Sequence, residues 1–282
     1  AALLTTAQAA KKNTKNSFSL NEVPKYNGKA SVVVHGNQPY FTSREKQNTK
    51  SFESYHKLDK LGRCGVAYAN ISIDTMPTEK RGEIGQIRPS GWHTVKYSGV
   101  VDGNYLYNRC HLIAYCLTAE NANKKNLITG TRYLNNEGML PYETKTAQYI
   151  DKTKNHVLYR VTPVFKGSNL VASGVLMEAY SVEDQGKGIS FCVYCYNVQP
   201  GVAIDYATGD SHLRGKNNQN SHKSSAKEHA SAVYILNTNT KKFHKPDCYS
   251  VKQMRSKNRK KYKGLRKKLI KDGYSPCKNC NP

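Results

Sequence analysis

Three β-rich runs follow one another between positions 156 and 198: residues 156–165, 170–180 and 189–198. Lys166-Gly167-Ser168-Asn169 makes a turn between the first two. Connections this short do not leave room for a crossover helix, so the runs indicate an antiparallel sheet. Just upstream, residues 133–152 read as a helix interrupted at Gly138 and Pro141. Proline suits a first helical turn, so the helix is expected to kink or restart there and to lie on one face of the sheet. Residues 30–34, 64–71, 91–97 and 105–114 read as further strands, with a hairpin over 36–42. The fold class is α+β.

The strand at 105–114 carries Asn108-Arg109-Cys110-His111. Strand side chains alternate faces, so Arg109 and His111 leave one face roughly 7 Å apart at the backbone. A guanidinium and an imidazole aimed at one point suit an anion clamp beside a proton acceptor. Taken alone, the four residues favour an ordinary surface strand with two polar side chains. The wider composition favours an anionic partner. The chain has 44 Lys and Arg against 20 Asp and Glu, a net charge of +24 and a pI near 9.7. Nucleic acid leads as partner, with an anionic cell surface second. No apolar run approaches the length needed to cross a bilayer.

Downstream of His111 come Asn126, then Thr129-Gly-Thr-Arg-Tyr-Leu-Asn135, then Glu143. Phosphodiester hydrolysis needs a base for water, a clamp for the phosphate and a cation for the charge that develops. Imidazole suits the base near neutral pH. A carboxamide oxygen suits Mg²⁺, which takes few protein ligands and keeps several waters.

The block Asn-Arg-Cys-His-Leu-Ile with Glu120-Asn-Ala-Asn-Lys-Lys-Asn-Leu-Ile-Thr-Gly-Thr-Arg-Tyr-Leu-Asn135 resembles the DNA/RNA non-specific endonuclease family. Those are ββα-metal nucleases with the strand motif Asp-Arg-Gly-His, and the streptococcal type carries Asn-Arg-x-His. The resemblance spans roughly residues 50–210 and takes in Asp205-Tyr-Ala-Thr-Gly-Asp210. It implies His111 as general base, Asn135 as the single protein ligand of Mg²⁺ (or Mn²⁺), and Arg109 near the scissile phosphate. It further implies Asn126 as a second active-site Asn and Glu143 as the acid that orients water at the ion. DNA and RNA are the implied substrates. Arg132 is a candidate phosphate contact by position alone. Asn108 and Cys110 depart from the motif's Asp and Gly, and Ala147 stands where some members supply a further cation. Cys110 is expected on the face opposite Arg109 and His111.

Residues 208–231 are rich in Gly, Asn, Ser, His and Lys and read as a linker after an endonuclease domain over 30–207. A small domain follows over 232–282, with a hairpin at 233–244 and a basic helical stretch at 251–271. His244-x3-Cys248 and Cys277-x2-Cys280 offer four ligands spaced for a tetrahedral Zn²⁺ site, and a domain of about fifty residues gains from such a staple. The layout resembles the Ada-type zinc-binding domain, with His244 at the first ligand position. A disulfide through Cys277 is the competing reading. The cation density at 252–271 indicates sequence-independent attraction to phosphate.

Residues 1–29 read as a disordered or extended leader. Its first ten residues fit equally the stub of a secretory signal, hence a secreted protein, or a plain leader. Two other functions compete with the nuclease: a nucleic-acid-binding protein without catalysis, and a polycationic surface adhesin. An inhibitor partner is not legible in the sequence.

Overall fold

A computed structural model of the chain describes residues 17–214 and 232–282, apart from 253, 278 and 281. The expected leader, residues 1–29, therefore lies partly outside the described residues. In chain order the first strands are β1 (Ser31–Val33), β2 (Phe52–Tyr55), β3 (Ala67–Ile71), β4 (Tyr107–His111) and β5 (Leu127–Thr131). β6 (Val157–Val164), β7 (Gly174–Ser181) and β8 (Ser190–Tyr196) are the three runs read from the sequence. They form an antiparallel sheet of order β1-β8-β7-β6-β3-β2, while β4 and β5 pair as a separate antiparallel ribbon.

Every second residue of the central strands enters one core: Ala67, Ala69 and Ile71; Val157, Tyr159 and Val161; Val175, Met177 and Ala179; Phe191, Val193 and Cys195. Onto this face pack Cys110 of the ribbon, Leu112 just past it, and Leu134, Met139 and Ile150 of the helical segment. Burying each large apolar side chain contributes about 1.5–3 kcal/mol. The opposite face is covered by Phe41, Leu158 and Val182, with Tyr68 and Tyr180 against them. With both faces covered, β7 and β8 are buried almost throughout, so they read as near-continuous apolar runs.

A short helix, α1 (Tyr115–Thr118), follows β4. After β5, a π-helical segment (Leu134–Met139) runs directly into α2 (Leu140–Thr153). Pro141 sits in the first turn of α2, as the sequence indicates, so the helix continues through it. Gly138 lies against β8, where a Cβ would come within 3.3 Å of the Cys195 Cβ. The glycine lets the π turn approach the sheet.

Two expected strands are corrected. Residues 91–97 make no strand, only an isolated bridge between Lys96 and Tyr105. Trp92, Val95 and Tyr97 instead pack with Leu106, Tyr107 and Val202 in a small cluster beside the ribbon. In place of the hairpin over 36–42 there is a 3-10 turn at His35–Asn37, with no strand after it up to residue 42. Strand β4 is shorter than the apolar run that contains it, because Leu112 and Ile113 turn into the core. β9 (Val202–Ile204) pairs with β10 (Ser211–Leu213), so pairing extends into the segment read as linker. The rest of that segment, 215–231, lies outside the described residues.

The C-terminal module has β11 (Ala232–Asn237), β12 (Lys242–His244), β13 (Arg259–Gly264) and β14 (Ser275–Pro276), in the order β13-β11-β12-β14. It also holds α3 (Tyr249–Lys252) and α4 (Arg266–Lys271). The hairpin is as expected. The basic helix over 251–271 is not one element: its middle is β13, paired along the full length of β11. The cause is Tyr262, which packs against the cluster of Tyr234, Leu236, Phe243 and Leu269 while its lysine neighbours remain exposed. Charge density alone has no period to reveal that alternation.

Asn197 ties the ribbon to the sheet. It is fully buried, accepts from the Thr131 N–H (2.8 Å) and donates to the Thr129 and Ala172 carbonyls (3.1 and 2.9 Å). Asn197→Ala leaves three backbone groups unpaired, and urea unfolding should show a loss of about 3 kcal/mol. A loss under about 0.5 kcal/mol would mean the ribbon is held by packing alone.

Candidate active site

A cleft of about 720 Å³ opens between the β4–β5 ribbon and the π turn. Arg81, Arg109, His111, Arg132, Asn135 and Asn136 line it. Arg109 and His111 share it, as strand alternation requires.

His111 is 7% exposed. Its Nε2 lies 2.8 Å from the Asn121 carbonyl. A carbonyl only accepts, so Nε2 carries the proton and Nδ1 keeps its lone pair. Burial pushes the imidazole down to about 4, the Asn121 hydrogen bond opposes that fall, and the Arg81 charge adds to it. The ring is therefore neutral at physiological pH and able to take a proton.

Asn135 is half-buried at the start of the π turn. Its Nδ2 donates to the Asn136 Oδ1 at 3.1 Å, which fixes the other end of the amide. The Cys110 thiol donates to its Oδ1 at 3.2 Å. Cys110 does point away from Arg109 and His111, into the core, but it reaches the helix that carries Asn135. The substitution thus touches the site from behind. An oriented carboxamide oxygen at a polar cleft wall, with space for water beside it, fits a hard divalent cation such as Mg²⁺.

Glu143 is 8% exposed, in the first turn of α2. Eight residues of ideal α-helix would set it roughly 80° round from Asn135. The wider i→i+5 turn of the π segment reduces that angle. Burial raises the Glu143 carboxyl to about 8, against the opposing pull of Arg81. A cation is what such a buried carboxyl lacks.

The remaining expected residues fall into place differently. Arg109 lines the cleft, but it donates to the Ile87 and Gly85 carbonyls (2.5 and 2.6 Å) and its guanidinium stacks 4.1 Å over Trp92. It braces the 85–92 loop with two of its nitrogens. Asn126 is fully buried, its Oδ1 accepting from the Ile113 N–H and its Nδ2 donating to the Ile113 carbonyl, each at 2.9 Å. Both ends of the amide are used, so Asn126 clamps the chain just past His111 and offers no polar atom to a substrate. Arg132 keeps a buried Nε without a hydrogen-bond partner, on the cleft wall.

The sequence reading missed Arg81. It is exposed, lines the cleft and acts electrostatically on both His111 and Glu143. It sits in a loop with no motif around it, and only the fold brings it to the site.

A second candidate centre lies in the C-terminal module. One ligand atom each from His244, Cys248, Cys277 and Cys280 falls within 4.8 Å of the others. Both ring nitrogens of His244 are buried without a hydrogen-bond partner. Backbone N–H groups of Lys245 and Asn279 donate to the Cys280 and Cys277 sulfurs at 3.3 and 3.4 Å. Hydrogen bonds from the Cys248 and Cys280 thiols pull the Cys277 thiol far below its ordinary value. An orphaned imidazole with converging thiols fits a closed metal site. All eight cysteines are unpaired in this structure, Cys277 among them.

The chain is similar to known nucleases. A family model described as DNA/RNA non-specific endonuclease matches residues 42–183. The solved structure of NucA from Streptococcus agalactiae with magnesium ion bound is 25% identical, with a TM-score of 0.57 over 64% of this chain and 86% of that one. NucA with no metal bound gives 0.59 at 25% identity, over 69% and 92%. Sda1 nuclease with bound zinc ion gives 0.55 at 25% identity, over 71% and 100%. No helix among the described residues is long and apolar enough to cross a membrane.

The raised Glu143 carboxyl gives a pH test in metal-free buffer. A folded value near 8 lies above that of the unfolded chain, so the folded state binds the extra proton between about pH 4.5 and 8. Its contribution is present at low pH and lost as pH rises through 8. Glu143→Gln should match wild type in urea at pH 4 and exceed it by a few kcal/mol (order of magnitude) at pH 9. Parallel stability curves would show that Glu143 is solvated.

Proposed function

The chain belongs to the DNA/RNA non-specific endonuclease family, and we propose that it is a magnesium-dependent, sugar-non-specific endonuclease with His111 as general base and Asn135 holding the ion. The observation that carries this reading is the tautomer of His111, set by the Asn121 carbonyl on Nε2, in the same cleft as the oriented Asn135 amide. His111 Nδ1 takes a proton from water as the water attacks phosphorus in line. Arg81 and Arg132 hold the non-bridging phosphate oxygens, and Arg109 keeps the loop beside them in place. Asn136 holds the amide of Asn135, and Glu143 orients water next to it. When bound at Asn135, Mg²⁺ (or Mn²⁺) supplies positive charge against the charge that builds on the phosphate and the departing 3′-oxygen. The products end in 5′-phosphate.

Zinc is the proposed occupant of His244, Cys248, Cys277 and Cys280, and it staples a module with a small core. Exposed Lys257, Arg259, Lys260, Lys261 and Lys263 give that module a phosphate-attracting strip. The polar, basic chain acts on extracellular DNA and RNA if the leader is a secretory signal.

Plasmid nicking tests the catalytic roles. His111→Ala and Asn135→Ala should each lower the Mg²⁺-dependent rate by about 10²–10⁴-fold while leaving DNA binding in EDTA intact. Equal nicking by wild type and His111→Ala would overturn the assignment of the base. No nicking by wild type would leave a binding protein or an adhesin.

Elemental analysis tests the module. The purified chain should carry one zinc, released on titration of its thiols, and His244→Ala should lower both zinc content and melting temperature. Zinc-free protein with unaltered melting would remove the metal from the account.

A further inference from the structure

The C-terminal module meets the catalytic cleft at two points. Arg266 of α4 lies 3.5 Å from Asp102, and Asp102 lines the cleft. Asn279, in the turn between Cys277 and Cys280, lines the same cleft alongside Asn108, Asn135 and Arg132. A groove of about 260 Å³ continues outward between Asn136, Pro141 and Lys145 on one side and Tyr249, Asn279 and Cys280 on the other.

Each contact has a chemical consequence. A bare carboxylate in a cleft that admits phosphate repels its substrate. Arg266 sets a guanidinium against Asp102, and its Nε is anchored to the Pro282 carbonyl at 2.7 Å. The Asn279 position is set by the metal-ligating turn: its N–H donates to the Cys277 sulfur and its Nδ2 to the Ser250 hydroxyl at 2.9 Å. The Asn279 side chain is nevertheless exposed at the cleft wall. Lys267 and Lys271 of α4 add exposed cations on the same helix as Arg266.

We infer that the metal-binding module is one jaw of the nuclease cleft: Asn279 contacts the nucleic-acid strand held beside Asn135, and Arg266 cancels the charge of Asp102. The inference rests on the nuclease reading. It differs from a tether on a linker, which raises local substrate concentration from any orientation. In a jaw, the module's ligand turn touches the strand being cut, so a charge placed on that turn acts directly on substrate. The occupant is a phosphodiester strand, because the groove carries the amides of Asn136, Gln148 and Asn279 and two lysines, Lys145 and Lys245, against one carboxylate, Asp247.

Two substitutions of equal charge separate jaw from tether. Asn279→Asp puts a negative charge on the cleft turn. Asn239→Asp puts the same charge in the exposed β11–β12 turn, away from the cleft-lining residues. In the full-length, zinc-loaded chain, Kd for a fluorescein-labelled single-stranded 12-mer is measured by anisotropy in Ca²⁺ without Mg²⁺, and KM and kcat for the same strand in Mg²⁺. The jaw predicts that Asn279→Asp raises Kd and KM about ten-fold with kcat within about two-fold, while Asn239→Asp changes neither Kd nor KM by more than about two-fold. Where Asn279→Asp lowers zinc content, Asn279→Lys replaces it and must tighten Kd more than Asn239→Lys does. Equal effects at 279 and 239 overturn the jaw and leave a tether. Because Kd is read without cleavage, a wild-type chain that binds but does not cut contradicts the nuclease reading while the contrast between 279 and 239 still decides the jaw.

Discussion

The hydrogen bond from His111 Nε2 to the Asn121 carbonyl is the constraint around which the catalytic face is arranged. It commits the ring to one tautomer, and burial keeps that ring neutral. The carbonyl that accepts it belongs to a loop that must itself be held. Asn123 caps the following 3-10 turn by accepting from the Lys125 N–H, and Asn126 pins both backbone groups of Ile113. Asn197 then locks the partner strand to the main sheet. Two buried amides and the half-buried Asn123 thus convert a two-stranded ribbon, which alone is marginal in water, into a rigid platform for one imidazole.

Facing that platform, the π turn solves a separate problem. Asn135 and Glu143 are carried by one helical segment, and Pro141 lies between them. Widening the turn lets the segment absorb the extra residue, and Gly138 lets it lie close on β8. The cost is a buried carboxyl raised to about 8, and a cation is the natural relief for it. Arg81 supplies part of that field.

Much of this was legible in the sequence. The three long strands, the ribbon strand with Arg109 and His111 on one face, and the paired metal-ligand spacings all follow from local pattern. What the sequence hid was set by tertiary context. Arg81 lies in a loop with no periodicity. Asn126 matched a motif, yet its amide is spent on the backbone of Ile113. Arg109 shares a face with His111, but Trp92 and the Gly85 and Ile87 carbonyls occupy much of its guanidinium, and only Trp92 lies in a run that reads as a strand. β13 was hidden because lysines alternate around a single Tyr262, and a basic run looks alike in helix and strand.

The central claim is that one divalent ion sits on the Asn135 amide oxygen with the free nitrogen of His111 facing the reacting water rather than the ion. Anomalous diffraction from crystals grown with Mn²⁺ reads this directly. The account predicts a single strong peak in the cleft about 2.0–2.3 Å from Asn135 Oδ1, with no protein nitrogen in its coordination sphere. A peak bonded to the His111 ring, or one that leaves Asn135 Oδ1 unbound, would contradict it.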